Sequence, residues 1–317
     1  MTWYFPFVFL GLGALLGLVK LPGKALVAIE YVGNAALVVL MFAIGISVGA
    51  DDTVIESIGV IGFQCAVIAL CAVFFSVLLV FLLEKTLLPL DRLKNRLVDE
   101  QMGTGADAGA DSEQKRSPLV WVIPACIVVG AAAGYFAVPA ECLDAVNRCF
   151  LVSLAVLYVT VGIGLSQHRG VFGYMKTLGW RVALLPVAIL IGSLTGGAAA
   201  GLFMGLAPHV SVLSASGMSY YSITGAFMTQ AYGIKTGTYG FLVNVFREFF
   251  TVLLLPLLIK VGKGAPIAGG AAGNMDTMLV PVSKFVGVEL GFVALITGTV
   301  LTFAVPVLLP VLAQLLG

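Results

Sequence analysis

GAPIAGGAAGNMDTMLVPVSKFVG, residues 264–287, is apolar enough to enter a lipid bilayer. Yet it holds Gly269, Gly270 and Gly273 close together, followed by a lone acid, Asp276, between Met275 and Thr277. Glycine weakens a helix, and a charge at the bilayer centre costs roughly 2.5–3.5 kcal/mol or more. A chain that keeps both costs in one place has a use for them. The stretch therefore predicts a broken, re-entrant helix lining a polar site, with the rest of the chain holding and gating it.

The remainder of the chain fits that reading. Of 317 residues, 60% are hydrophobic and 10% charged, with a mean hydropathy of +1.08. This composition excludes a soluble globular domain and specifies an all-α polytopic protein whose partner is the lipid bilayer. The net charge of +1 indicates no nucleic-acid partner. The five cysteines show no CxxC spacing and read as core or lipid-facing thiols, so no metal or redox site is expected. MTWYFPFVFL at the start has no basic segment, so Trp3 and Tyr4 read as interfacial anchors of a retained first helix.

Ten apolar runs follow one another: Trp3–Val19, Tyr31–Ala50, Ile58–Leu83, Leu119–Val138, Val146–Leu165, Leu178–Leu206, Val210–Tyr232, Tyr239–Ile259, Ala265–Val286 and Leu290–Leu316. A polar segment rich in Gly, Ala and Asp separates the third from the fourth and reads as a disordered linker. A shift of 117 residues lays Gly13, Ala14, Gly17 and Pro22 on Gly130, Ala131, Gly134 and Pro139. It also lays Leu40, Gly45 and Ile46 on Leu157, Gly162 and Ile163; 11 of 39 positions from Leu10 to Val48 are identical. Each unit has three spans, and an odd number inverts the second unit relative to the first. The expected organisation is a first three-helix repeat (1–84), a cytoplasmic linker (85–117), an inverted three-helix repeat (118–206) and a C-terminal core (207–317).

Basic residues set the orientation. With the N-terminus outside, Lys20, Lys24, the linker cations, Arg169, Lys176 and Arg181 all lie inside, while Asp51, Asp52, Glu56, Glu141 and Asp144 lie outside. Making Val210–Tyr232 and Ala265–Val286 re-entrant keeps Lys260, Lys263 and Lys284 inside as well. The expectation is about eight transmembrane helices plus two re-entrant or broken segments, with both termini outside. ASGMSYY (215–221) over AAGNMDT (271–277) suggests that the two broken segments are themselves an inverted pair. Irregular backbone at membrane depth is tolerated only where protein or a wet cavity surrounds it, so the two segments should meet in a polar site.

Asp276 is the sharpest candidate. Desolvation favours a neutral carboxyl and a bound cation favours a charged one, so a proton and a cationic substrate can compete for one carboxylate. Asn274 and Thr277 flank it. Asp52 ends the second span; its position in the other repeat holds Arg169. Arg247 and Glu248 lie midway along Tyr239–Ile259, about 100° apart on a helix, so each needs another partner, and Asn244 is one turn away. Arg247 with Asp276 is one option. In the run 214–225, Ser216, Ser222, Tyr220 and Tyr221 offer hydroxyls and aromatic faces, and a half-helix N-terminus can face a substrate carboxylate. No HExxH, GxSxG or Walker A sequence is present, so neither catalytic residues nor a cofactor is expected.

ASGMSYYSITG (215–225), NVFREFFTVLLLPLLIK (244–260), GGAAGNMDTMLVPV (269–282) and FAIGISVGADD (42–52), in that spacing, resemble the bacterial lysine exporter (LysO) family. The resemblance implies an inner-membrane, multi-pass exporter of L-lysine, with related basic amino acids or analogues as further substrates, coupled to protons. It places the family's two important membrane acids on Asp52 and Asp276 and its Arg–Glu pair on Arg247 and Glu248. Tyr220 stands where relatives tend to carry Trp, and Ser219 where they carry Gly. The alternative is a transporter or channel for another small ion or organic anion, with Arg247 as its main ligand. The oligomeric state is left open.

Overall fold

The computed structural model describes residues 5–19, 22–50, 52–88, 90, 119–139, 142–167 and 180–316. The linker reading, Trp3, Tyr4, Asp51 and Arg169 fall outside them, as does the side chain of Asp52. Every regular element among the described residues is helical. The helices are α1 (Phe5–Leu18), α2 (Gly23–Gly49), α3 (Asp52–Thr86), α4 (Leu119–Phe136), α5 (Leu143–Gln167), α6 (Leu184–Met204), α7 (Pro208–Ser216), α8 (Tyr221–Tyr232), α9 (Ile234–Val261), α10 (Gly264–Gly270), α11 (Leu279–Val286) and α12 (Val288–Leu316). Short 3₁₀ turns precede α6 and follow α10. Among the described residues, α2, α3, α5, α6, α9 and α12 are long and apolar enough to cross a membrane, and α1 and α4 are shorter apolar helices. The fold is an all-α polytopic membrane protein.

The repeat is built into the packing. Gly13 and Gly17 of α1 press on the backbone of Val159 and Ile163 in α5, while Gly130 and Gly134 of α4 press on Phe42 and Ile46 in α2. These are the same contacts under the shift of 117: each repeat lends its first helix to the second helix of the other. Side chains would block them. A β-carbon at Gly13 would lie 2.1 Å from the Val159 carbonyl oxygen, and one at Gly134 2.2 Å from that of Ile46. Small residues at these positions let the helices touch backbone to backbone, which in lipid supplies the packing that hydrophobic burial cannot.

The third helices of the two units, α3 and α6, run antiparallel, with Ser76 beside Ile189, Gly192 and Ser193, and Cys71 and Ala72 beside Gly196. Equivalent helices pointing in opposite directions define an inverted repeat. Ser76 and Ser193 are equivalent positions, and their hydroxyl oxygens lie 3.1 Å apart, on the pseudo-two-fold axis.

Both C-terminal broken segments are re-entrant. α7 turns back along α6, with Ser211 beside Gly201 and Ala215 beside Gly197. The chain reverses at residues 217–220, and α8 returns, so that His209 at the start of α7 stacks on Tyr232 at the end of α8, 4.9 Å between ring centroids. Both ends therefore lie on one face of the molecule, here the first face. Gly233, at φ 88°, then turns the chain into α9, which crosses to the second face. There Glu84, at the end of α3, accepts the backbone N–H groups of Lys263 (3.3 Å) and Gly264 (3.0 Å) and caps the start of α10. The chain breaks again at residues 271–278. α11 folds back on α12, with Ser283 beside Gly291 and Asn274 beside Gly298. α12 runs to the first face, where the Ala313 carbonyl accepts the Tyr232 hydroxyl at 3.2 Å. The second segment thus opens and closes on the second face, opposite to the first.

Candidate functional site

The two re-entrant segments meet tip to tip: the backbone N–H of Ala272 donates to the Met218 carbonyl at 2.9 Å. The strained backbone among the described residues gathers here. Met218 (φ 49°), Ser219 (φ 80°) and Ala271 (φ 47°) are the non-glycine residues with left-handed φ among those described. Such conformations cost about 1–3 kcal/mol each and persist where surrounding structure holds them. The glycines of the tips serve a different need, which is room. A β-carbon at Gly217 would meet Thr224 Oγ1 at 2.3 Å, at Gly270 Asn274 Oδ1 at 2.0 Å, and at Gly273 Glu248 Oε1 at 2.9 Å.

Asn244 holds the first tip. Its Oδ1 accepts the Ser219 N–H at 2.8 Å, and its Nδ2 donates to the carbonyls of Ser214 (2.9 Å) and Gly240 (2.7 Å). In the second tip, Asn274 Nδ2 donates to the Ile267 carbonyl at 2.7 Å. Ser216 is fully buried, and its hydroxyl donates to Leu213 O at 2.8 Å. Two buried oxygens at the tips, Ser219 Oγ and Asn274 Oδ1, have no hydrogen-bond partner. A buried acceptor or hydroxyl left unsatisfied costs about 1–3 kcal/mol.

The acids gather beside the second tip. Asp276 is exposed although the preceding residues 271–274 are buried, so the turn opens onto free space. Its Oδ1 accepts the Thr277 N–H, and the Thr277 hydroxyl donates to Glu248 Oε1 at 2.9 Å. Thr277 thereby links the two carboxylates. Tyr220 and Tyr221 at the start of α8 lie within electrostatic reach of Asp276, and Tyr221 also of Glu248. Ser222, buried, follows them in the first turn of α8. Asp276, Thr277, Glu248, Tyr220 and Tyr221 thus converge from three elements that are distant in sequence.

Arg247 does not pair with Asp276 in the fold. Arg247, 1% exposed, donates to Ser193 Oγ (2.7 Å), Ser76 Oγ (3.2 Å), Ala268 O (3.0 Å) and Gly269 O (3.3 Å), all neutral oxygens. The reason is the helical offset: neighbours on α9 face different ways, so Glu248 looks to the tip and Arg247 to the axis between α3 and α6. Asp52 opens α3, about 24 residues before Ser76, or roughly 36 Å along the axis at 1.5 Å per residue. It stands at the first-face end of α3, opposite Glu84.

Sequence reasoning missed Ser76, Ser193, Glu84 and Tyr158. Extending the shift of 117 beyond Val48 finds the two serines, which coincide as polar residues within apolar runs. Tyr158 of α5 is fully buried and within electrostatic reach of Tyr220 at the start of α8.

The two opposed hairpins thus bring their tips together, with Asp276 and Glu248 beside the second tip. The family follows from comparison: a model of the family described as "Lysine exporter LysO" matches residues 124–313, and the chain belongs to that family. The match includes Arg247, Glu248 and Asp276 and begins after Asp52. The chain is similar to the lysine exporter LysO of Escherichia coli, 27% identical over 157 residues, covering 50% of this chain and 52% of that protein. It is also similar to a putative lysine exporter of Haemophilus influenzae, 25% identical over 183 residues, covering 58% of this chain and 92% of the relative. The match to the Escherichia coli protein thus spans about half of its length. No solved structure matches the chain.

Proposed function

We propose that the protein exports L-lysine, with related basic amino acids or analogues, from the cytoplasm across the bacterial inner membrane, in exchange for protons. The observation that carries this reading is the pair of acids, Asp276 and Glu248, joined through Thr277 at an open turn between two re-entrant tips. Arg247, the nearby cation, is turned away into protein oxygens. Such a pair suits an ammonium group, which brings three donors and no acceptor. The start of α8, with Ser222 and the N–H groups of its first turn, suits the α-carboxylate. Tyr220 and Tyr221 offer faces to the cation. The names of the two relatives point to the same substrate.

Energetics favours coupling. Moving Lys⁺ outward against an inside-negative potential costs about 2.3 kcal/mol per 100 mV. An incoming proton for each outgoing lysine cancels that electrical work. Asp276 and Glu248 hold either protons or the substrate cation, and the site opens alternately to the two faces. In this reading the first face is external, both termini are outside, and Asp52 serves the external end of the pathway. The organic-anion reading needs Arg247 free for substrate, and its four bonds are already made. The test is lysine efflux from proteoliposomes under an imposed pH gradient. Flux should appear with the wild type and disappear with Asp276→Asn; equal flux from both proteins would sink the proposal.

A further inference from the structure

The Arg247 clasp lies outside the carboxylate cluster, and nothing in the transport reading uses it. Arg247 is a large, fully buried side chain, and no carboxylate is among its four hydrogen-bond partners. A buried guanidinium facing only neutral oxygens is costly to keep, and a neutral residue would fill the space with less penalty. The arrangement of the acceptors shows what the fork achieves. One side of it takes Ser76 and Ser193, equivalent residues of the two inverted repeats. The other takes the carbonyls of Ala268 and Gly269, in the last turn of α10. Ser76 also donates to Ile189 O at 3.1 Å, which closes the network across α3 and α6. Gly192 gives the room: a β-carbon there would lie 2.4 Å from Ser76 Cα.

We infer that Arg247 is a positioning residue that pins the second re-entrant tip to the pseudo-two-fold axis. Through α10 it sets where Ala271–Asp276 lies, and through α9 it fixes the turn that carries Glu248. Only a planar group with several fixed donors spans these four oxygens; a lysine ammonium has the charge but not the reach in two directions. The terminal carbonyls of α10, unpaired within so short a helix, gain donors from it. The functional consequence rests on the lysine-transport reading, whereas the clasp itself does not.

The test uses the full chain in proteoliposomes and in detergent, with Arg247→Lys, Ser76→Ala, Ser193→Ala and the triple variant. Arg247→Lys should raise KM for lysine at least tenfold, with a smaller change in the maximal rate. Each serine variant should raise KM severalfold, the two alike, and the triple variant should be no worse than Arg247→Lys alone. Serine variants with wild-type KM, or a triple variant whose effect multiplies the separate ones, would overturn the inference. Thermal unfolding of the same set without lysine should show the same non-additivity, and additive shifts there count against the clasp. If the wild type moves no lysine, the transport reading fails while the unfolding series still decides the clasp.

Discussion

Two adjacent residues of α9 face different ways. Glu248 reaches Thr277 and, through it, Asp276; Arg247 reaches the serines of the axis. Asp276→Asn and Glu248→Gln each remove a carboxylate from the proposed cation site, and each should lower lysine efflux about 100-fold or more while the protein still folds. Thr277→Val removes a hydrogen bond to a carboxylate, worth about 1.5–3 kcal/mol. It should raise KM for lysine about tenfold or more in the same efflux assay. Asp276 was legible in sequence as a candidate, because an acid in an apolar, glycine-rich run is costly to keep. The separation of Arg247 from Asp276 was not, because which helix lies beside each face of α9 is a tertiary fact. Nor were the left-handed residues: glycine density marked the tips, but Met218, Ser219 and Ala271 take the strained conformations, and the glycines make room.

At the scale of helices, the glycines divide by what lies opposite them. Gly17 and Gly134 face backbone at 2.8 and 2.2 Å, whereas Gly11 and Gly59 face nothing within 4 Å. Alanine at Gly17 or Gly134 should therefore destabilise by about 1–3 kcal/mol or more, and by similar amounts at both, since they are equivalent contacts. Alanine at Gly11 or Gly59 should be neutral or stabilise by up to about 1 kcal/mol. Thermal unfolding in detergent reads both pairs. The repeat and the two broken segments were legible here. The shift of 117 already aligned these glycines, and the runs Val210–Tyr232 and Ala265–Val286 closely bracket α7–α8 and α10–α11. Glu84 was not legible as a cap, because the start of α10 reaches it only after α9 has crossed the molecule.

For the molecule as a whole, opposed re-entrant segments make a topological claim. Gly205 and Gly233 bracket the first segment on one face; Gly262 and Gly287 bracket the second on the other. In a variant lacking the native cysteines, single cysteines at 205 and 233 should react with a membrane-impermeant thiol reagent from the same side. Those at 262 and 287 should react only from the opposite side. Two full crossings would instead split each pair. If the acids at the meeting tips exchange lysine for protons, the two fluxes are coupled. The most direct measurement is simultaneous recording of lysine efflux and internal pH in proteoliposomes loaded with lysine, with an external pH lower than the internal one. Lysine should leave as the interior acidifies, and both signals should vanish together in Asp276→Asn. Lysine efflux without proton entry, or both signals unchanged in Asp276→Asn, would contradict that exchange.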